Sequence, residues 1–102
     1  MKITLIRHGR TIGNVKGCFN GVTNDPLCDD GVETIKEYVE KGIYPEVGIV
    51  VSSPLKRCLQ TSNLIYPQHK PIVVDNLREI NFGDFENKTH LQLENNPDYI
   101  RW

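Results

Sequence analysis

The sequence predicts an α/β domain built on a mainly parallel sheet. Two short runs rich in β-branched residues, KITLIR (2–7) and PIVVD (71–75), lie on either side of a nearly continuous apolar run, VGIVVSS (47–53). Between successive runs, apolar residues recur at spacings of three and four, as on one face of a helix. The order strand, helix, strand, helix, strand implies parallel strands joined by right-handed crossovers.

Each element has its own local signal. Residues 2–7 read as the first strand. Residues 8–29 carry Gly9, Gly13, Gly17, Gly21 and Pro26 and read as a long loop around short ordered pieces. A segment of that length without regular structure is usually functional. Asp29 or Asp30 is expected to cap the first helix, with Val32, Ile35 and Val39 on its apolar stripe and Gly42 as its stop. The run 47–53 suits a strand covered on both faces. Ser53 followed by Pro54 is a helix-start signal, a capping hydroxyl and then proline at the first helical position. Leu55 and Leu59 carry that helix towards Tyr66 and Pro67, and residues 71–75 form the third strand. Residues 76–87 look irregular, THLQLENN predicts a short helix, and PDYIRW predicts the start of another.

At 102 residues the chain makes one domain with a modest core. A net charge of -1 argues against a nucleic-acid or anionic-membrane partner, so anion recognition must come from a few placed arginines. The apolar stretch before Arg7 is too short for a signal-peptide core or a membrane span. Cys18, Cys28 and Cys58 form no C-x-x-C pair, which predicts reduced thiols in a cytoplasmic protein and neither a disulfide scaffold nor a zinc site.

In parallel α/β sheets, ligands gather beyond the carboxyl ends of the strands. Arg7 and His8 end the first strand, Ser52 and Ser53 end the second, Glu79 follows the third, and Arg57 lies in the first turn of the second helix. These residues are expected to converge on one sheet edge. Two arginines near a helix N-terminus suit a phosphoryl group, because guanidinium matches phosphate oxygens bidentately. Positive neighbours keep His8 neutral until an anion arrives, and neutral imidazole has the lone pair that a nucleophile needs. Glu79 is placed to protonate the leaving oxygen and then to activate water. Asn14 and the glycine-rich loop add hydrogen bonds, and no metal or other cofactor is called for. Taken singly, each residue has a plainer explanation: Arg57 a surface helix arginine, Glu79 a loop carboxylate, Asn14 a turn residue. His69 and His90 read as solvated surface histidines and Cys58 as core.

The combination LIRHGRTIGN, GVTNDPLCDDG, VVSSPLKRCLQT and LREINFGDFEN resembles the histidine phosphatase superfamily, the phosphoglycerate-mutase-like proteins. The blocks occur in that family's order and spacing and cover nearly the whole chain. The resemblance implies a three-layer α/β/α sandwich with a mainly parallel sheet, of which residues 1–102 form the N-terminal part of a single domain. It implies His8 as the phosphorylated nucleophile, Arg7 and Arg57 as phosphate ligands, and Glu79 as proton donor. Asn14, Asn20, Gly21, Val22 and Thr23 fall at substrate-facing positions. The block LREINFGDFENKT is similar to the phosphatase form of the family, and GVTNDPL and SPLKRCLQT look like bacterial α-ribazole phosphatases and broad phosphomonoesterases. Departures are Cys18 where an arginine is frequent, Asn20 for glutamine, Asn24 for aspartate and Asn87 for glycine.

The family continues past the position of Trp102 to a strand ending in a second phosphate-binding histidine, usually within S-H-G, and that strand lies beside the first. No S-H-G occurs here. The expected result is a site short of one ligand and a sheet with an unpaired edge, which favours a homodimer or a swapped oligomer. Three functions stay open: a phosphomonoester hydrolase acting on a small phosphorylated metabolite, a mutase-type phosphotransferase, and a non-catalytic phosphate-binding or interaction module.

Overall fold

The computed structural model describes residues 1–21 and 23–101. Its helices are α1 (Ile12–Lys16), α2 (Asp29–Glu40), α3 (Lys56–Ile65), α4 (His90–Leu93) and α5 (Pro97–Arg101). The strands are β1 (Val51–Ser52) and β2 (Ile72–Val73), and short 3-10 turns occupy Asp75–Leu77 and Gly83–Phe85. β1 and β2 pair in parallel, Val51 opposite Ile72 and Ser52 opposite Val73. The Ile72 N–H donates to the Val50 carbonyl at 2.9 Å and the Val74 N–H to that of Ser52 at 3.0 Å. α3 is the crossover that a parallel pair requires. The second and third predicted strands are thus present, each shorter in the ladder than its apolar run.

The first predicted strand is different. Residues 2–7 join no ladder among the described residues, and Leu5 is 92% exposed. Thr4, Leu5 and Ile6 share the lining of a cavity of about 300 Å³ with Ile49, Val50 and Val51. A strand exists only where its N–H and C=O groups find partners. With that space beside them, residues 2–7 keep the composition of a strand without its pairing.

The end of this segment is nonetheless anchored. The Gly9 N–H donates to the Thr61 hydroxyl of α3 at 3.0 Å, and the Arg10 carbonyl accepts from the Cys28 N–H, also at 3.0 Å. Gly31, in the first turn of α2, packs so closely on Arg10 that a Cβ there would stand 2.2 Å from the Arg10 carbonyl oxygen. Both long helices therefore grip the chain directly after His8.

Helix starts differ from expectation in instructive ways. The predicted loop 8–29 contains α1, started by a capping box in which the Thr11 hydroxyl accepts from Asn14 N–H (3.1 Å) and the Asn14 side-chain oxygen from Thr11 N–H (3.0 Å). The cap of α2 is Cys28, whose Sγ accepts from Gly31 N–H at 3.4 Å. Asp29 and Asp30 fall in the first turn instead, where carboxylates favour the helix dipole. α3 begins at Lys56, later than Ser53 and Pro54 suggest, and the Lys56 N–H is taken by the Asn24 side-chain oxygen at 2.6 Å. The predicted α4 and α5 are present, α4 with a Thr89–Gln92 capping box.

The core joins Leu27, Ile35, Ile65 and Tyr66, with Val32, Val47, Val50 and Leu64 packed around them. The Tyr66 hydroxyl donates to the Pro45 carbonyl at 2.6 Å, which satisfies the one polar atom this ring brings inside. Among the described residues no helix is long and apolar enough to cross a membrane.

Gly31→Ala forces a methyl into backbone, and such overpacking costs about 1–3 kcal/mol. The thermal unfolding midpoint, followed by circular dichroism, is expected to fall by several degrees. An unchanged midpoint would mean that α2 can move off Arg10 freely.

Candidate functional site

A second cavity, of about 160 Å³, is lined by Arg7, His8, Asn14, Asn20, Arg57 and Glu79 among others. Six sequence-predicted residues, five from three of the blocks and Asn20 from between the first two, thus meet around one space. Gly21 and Thr23 stand behind it, turning carbonyls towards Arg57. Val22 lies outside the described residues. His69 packs edge-on against Tyr66 at 6.1 Å between ring centres, His90 is exposed, and neither lines the cavity.

His8 is held by its own neighbour. Its Nδ1 lies 2.7 Å from the Gly9 carbonyl oxygen. A carbonyl only accepts, so Nδ1 carries a proton, and in the neutral form of the ring the lone pair lies on Nε2. Nε2 stands 3.9 Å from Glu79 Oε2.

Arg57 is 1% exposed and is surrounded by oxygen. Nη1 donates to the Thr23 carbonyl at 2.7 Å and to Asp25 Oδ1 at 3.2 Å. Nη2 donates to the Gly21 carbonyl at 2.6 Å and to Glu79 Oε2 at 2.5 Å. Each terminal nitrogen carries two N–H groups, so these acceptors use all of them. Sequence reasoning expects Arg57 to present a free bidentate face. In the structure only the Glu79 position is exchangeable, because that side chain is half exposed while Asp25 and the two carbonyls are built into the loop.

Two carboxylates that organise the site were not singled out from sequence. Asp25 Oδ2 accepts from the Gly13 N–H at 3.0 Å while its Oδ1 meets Arg57, tying α1 to α3. Burial pushes its carboxyl up, but hydrogen bonds from the Thr11 hydroxyl and the Gly13 N–H outweigh that and hold it below its usual value. Glu86 accepts from the N–H groups of Gly21, Thr23 and Phe82 and from the Thr23 hydroxyl. Burial again raises it, and the Thr23 hydroxyl and those three N–H groups bring it below the ordinary range. The only sequence signal for either is an acid inside an otherwise apolar or turn-rich block.

The departures from the family pattern also acquire roles. Asn24 accepts from the first N–H of α3, that of Lys56. Asn87 adopts φ 57°, the left-handed region that asparagine tolerates better than most side chains, where glycine is frequent in the family. Cys58, half-buried on α3, has its thiol pushed up by burial, against the lowering effects of Ser53 and Arg57. It therefore stays protonated and is a poor nucleophile beside His8. Among the described residues no cluster of three or more His, Cys, Asp or Glu side chains is placed to hold a metal ion.

An imidazole, a buried guanidinium and a half-exposed carboxylate meet around one small cavity on an α/β scaffold with parallel strands. The chain belongs to the histidine phosphatase superfamily (branch 1), whose family model matches residues 3–102. It is 31% identical over its full length to the adenosylcobalamin/alpha-ribazole phosphatase of Salmonella typhimurium, covering 52% of that protein. Among solved structures, the alpha-ribazole phosphatase from Shigella flexneri superposes with a TM-score of 0.83 at 30% identity, over 95% of this chain and 50% of that one. The phosphoserine phosphatase from Entamoeba histolytica, in complex with 3-phosphoglyceric acid, gives a TM-score of 0.78 at 32% identity, over 93% and 48%. The fold is thus the phosphoglycerate-mutase-like α/β fold, and the chain spans about half the length of the relatives it matches.

Because the folded Asp25 carboxyl is held below its ordinary value of about 4, it adds stability that is fully present above that pH. The contribution is lost as pH falls through the folded value. Asp25→Asn is expected to lower the neutral-pH melting temperature and to flatten the acid limb of stability against pH. Parallel wild-type and variant curves would contradict this.

Proposed function

We propose that the chain carries the nucleophile and the phosphoryl pocket of a cytoplasmic phosphomonoester hydrolase acting on a small phosphorylated metabolite, of the α-ribazole phosphate kind or of broader range. The observation that carries this reading is the position of Glu79. Its carboxylate oxygen sits on the Arg57 guanidinium and 3.9 Å from the bare Nε2 of His8, where an anion facing both groups belongs. The names of the relatives, mostly phosphatases, support the same reading.

In this mechanism a phosphoryl oxygen takes the place of Glu79 on Arg57, and Arg7 adds charge from the cavity wall. The Nε2 lone pair attacks phosphorus in line with the ester oxygen. As the P–O bond breaks, its electron pair leaves with that oxygen, which takes a proton from Glu79, whose carboxylate, once off Arg57, has received it from the phosphomonoester monoanion. The phosphoramidate on His8 is then attacked by water, whose proton returns to Glu79, and the P–N bond breaks to release phosphate. The Gly9 carbonyl keeps the Nδ1 proton in place throughout and disperses the positive charge that develops on the ring.

Label uptake reads the nucleophile itself, apart from steady turnover. Incubation with a radiolabelled phosphomonoester is expected to leave an acid-labile, base-stable label on the wild type and none on His8→Ala. Glu79→Gln should slow labelling from an alkyl ester by ~10²–10⁴, and by much less from a nitrophenyl ester whose leaving group needs no proton. Label persisting in His8→Ala would sink the proposal. Transfer to a second hydroxyl in preference to water would replace hydrolase by mutase.

A further inference from the structure

We infer that Glu86 is a positioning residue that aims the Arg57–Glu79 pair, acting through the loop around Gly21 and Thr23. This rests on the reading above, in which the pair receives a phosphoryl group. Glu86 does not line the 160 Å³ cavity and touches neither His8 nor Arg57. It gathers donors from the two segments that bring the pair together.

On one side are the Gly21 N–H at 3.0 Å, the Thr23 N–H at 2.9 Å and the Thr23 hydroxyl at 2.6 Å. On the other is the Phe82 N–H at 2.8 Å, three residues beyond Glu79. The carbonyls of Gly21 and Thr23 are the ones that accept from Arg57. With N–H groups held by Glu86 and carbonyls spent on Arg57, the backbone at both residues is fixed from two directions. Gly21 also lets the segment after Glu79 approach, since a Cβ there would stand 1.6 Å from the Ile80 carbonyl oxygen. One carboxylate therefore sets the distance between the loop that orients Arg57 and the segment that carries Glu79.

Only a carboxylate suits this place. It accepts at both oxygens, whereas glutamine offers one oxygen and turns an NH₂ group on N–H donors that need an acceptor. The lowered carboxyl of Glu86, achieved against the effect of burial, fits a group held ionised by its donors.

The test is Glu86→Gln, read by NMR of the Arg57 guanidinium and by titration with inorganic phosphate. In the wild type the guanidinium, with its four Nη–H groups engaged, should give separate, slowly exchanging Nη–H signals. In Glu86→Gln these should merge, the core methyls of Leu27, Ile35 and Ile65 should keep their shifts, and phosphate affinity should fall about 10-fold or more. Thr23→Val removes only the hydroxyl donor and should move the same signals less, in the same direction, which serves if the first variant folds poorly. Arg57 signals unchanged in both variants, or changed only together with the core methyls, would overturn the inference. Wild-type protein that fails to bind phosphate, while its Arg57 signals still answer to Glu86, would overturn the phosphatase reading and leave the positioning role standing.

Discussion

The ion cluster around Arg57 is the constraint on which the rest of the site depends. A guanidinium at 1% exposure has lost its water, and a buried charge is tolerated only when its donors are matched. Here the matching comes from chain segments far apart: the loop carbonyls of Gly21 and Thr23, the Asp25 carboxylate and the Glu79 carboxylate. Removing one partner of such a cluster leaves an uncompensated charge and costs about 3–5 kcal/mol. The long glycine-bearing loop is therefore ordered by electrostatics more than by apolar burial.

That ordering explains how a site can be well formed beside a sheet that is not. β1 and β2 pair over two residues each, and residues 2–7 pair with nothing among those described. Yet His8 sits at the junction where α2 and α3 both bind the backbone, through the close packing of Gly31 on Arg10 and the hydrogen bond from Gly9 to Thr61. The exposed side chains of Ile3 and Leu5 lie upstream of that junction, and the 300 Å³ space beside Leu5 reaches it, with His8 and Thr61 in its lining. The structural relatives superpose over more than nine-tenths of this chain while extending to about twice its length. The arrangement of these blocks is thus shared with the longer proteins.

The legible part of the sequence was the part set by short-range pattern. His8, Arg57 and Glu79 were marked by their place after strand-like runs or at a helix start, because parallel topology sends those ends to one side. Val32 and Ile35 on the apolar face of α2, the short helix α4 and the stop at Gly42 follow equally local rules, while Val39 of the same expected stripe is exposed. What sequence did not reveal depends on distant partners. Cys28 in place of Asp29 or Asp30 as cap, and Asn24 reaching over to Lys56, are choices made by loop geometry. Asp25 and Glu86 look like ordinary loop acids until the N–H groups around them are located. Residues 2–7 depart from expectation for the same reason: composition gives the tendency to be a strand, and only a neighbour makes it one.

The contact between His8 Nδ1 and the Gly9 carbonyl has a consequence for product chemistry. Turning the imidazole over would bring Cδ2–H to the carbonyl oxygen and forfeit the hydrogen bond, so the ring has one preferred orientation. On the proposed reading, an adduct on His8 would form on the nitrogen remote from the backbone, as a single regioisomer. A group held there would be carried away from the main chain and towards the Glu79 carboxylate.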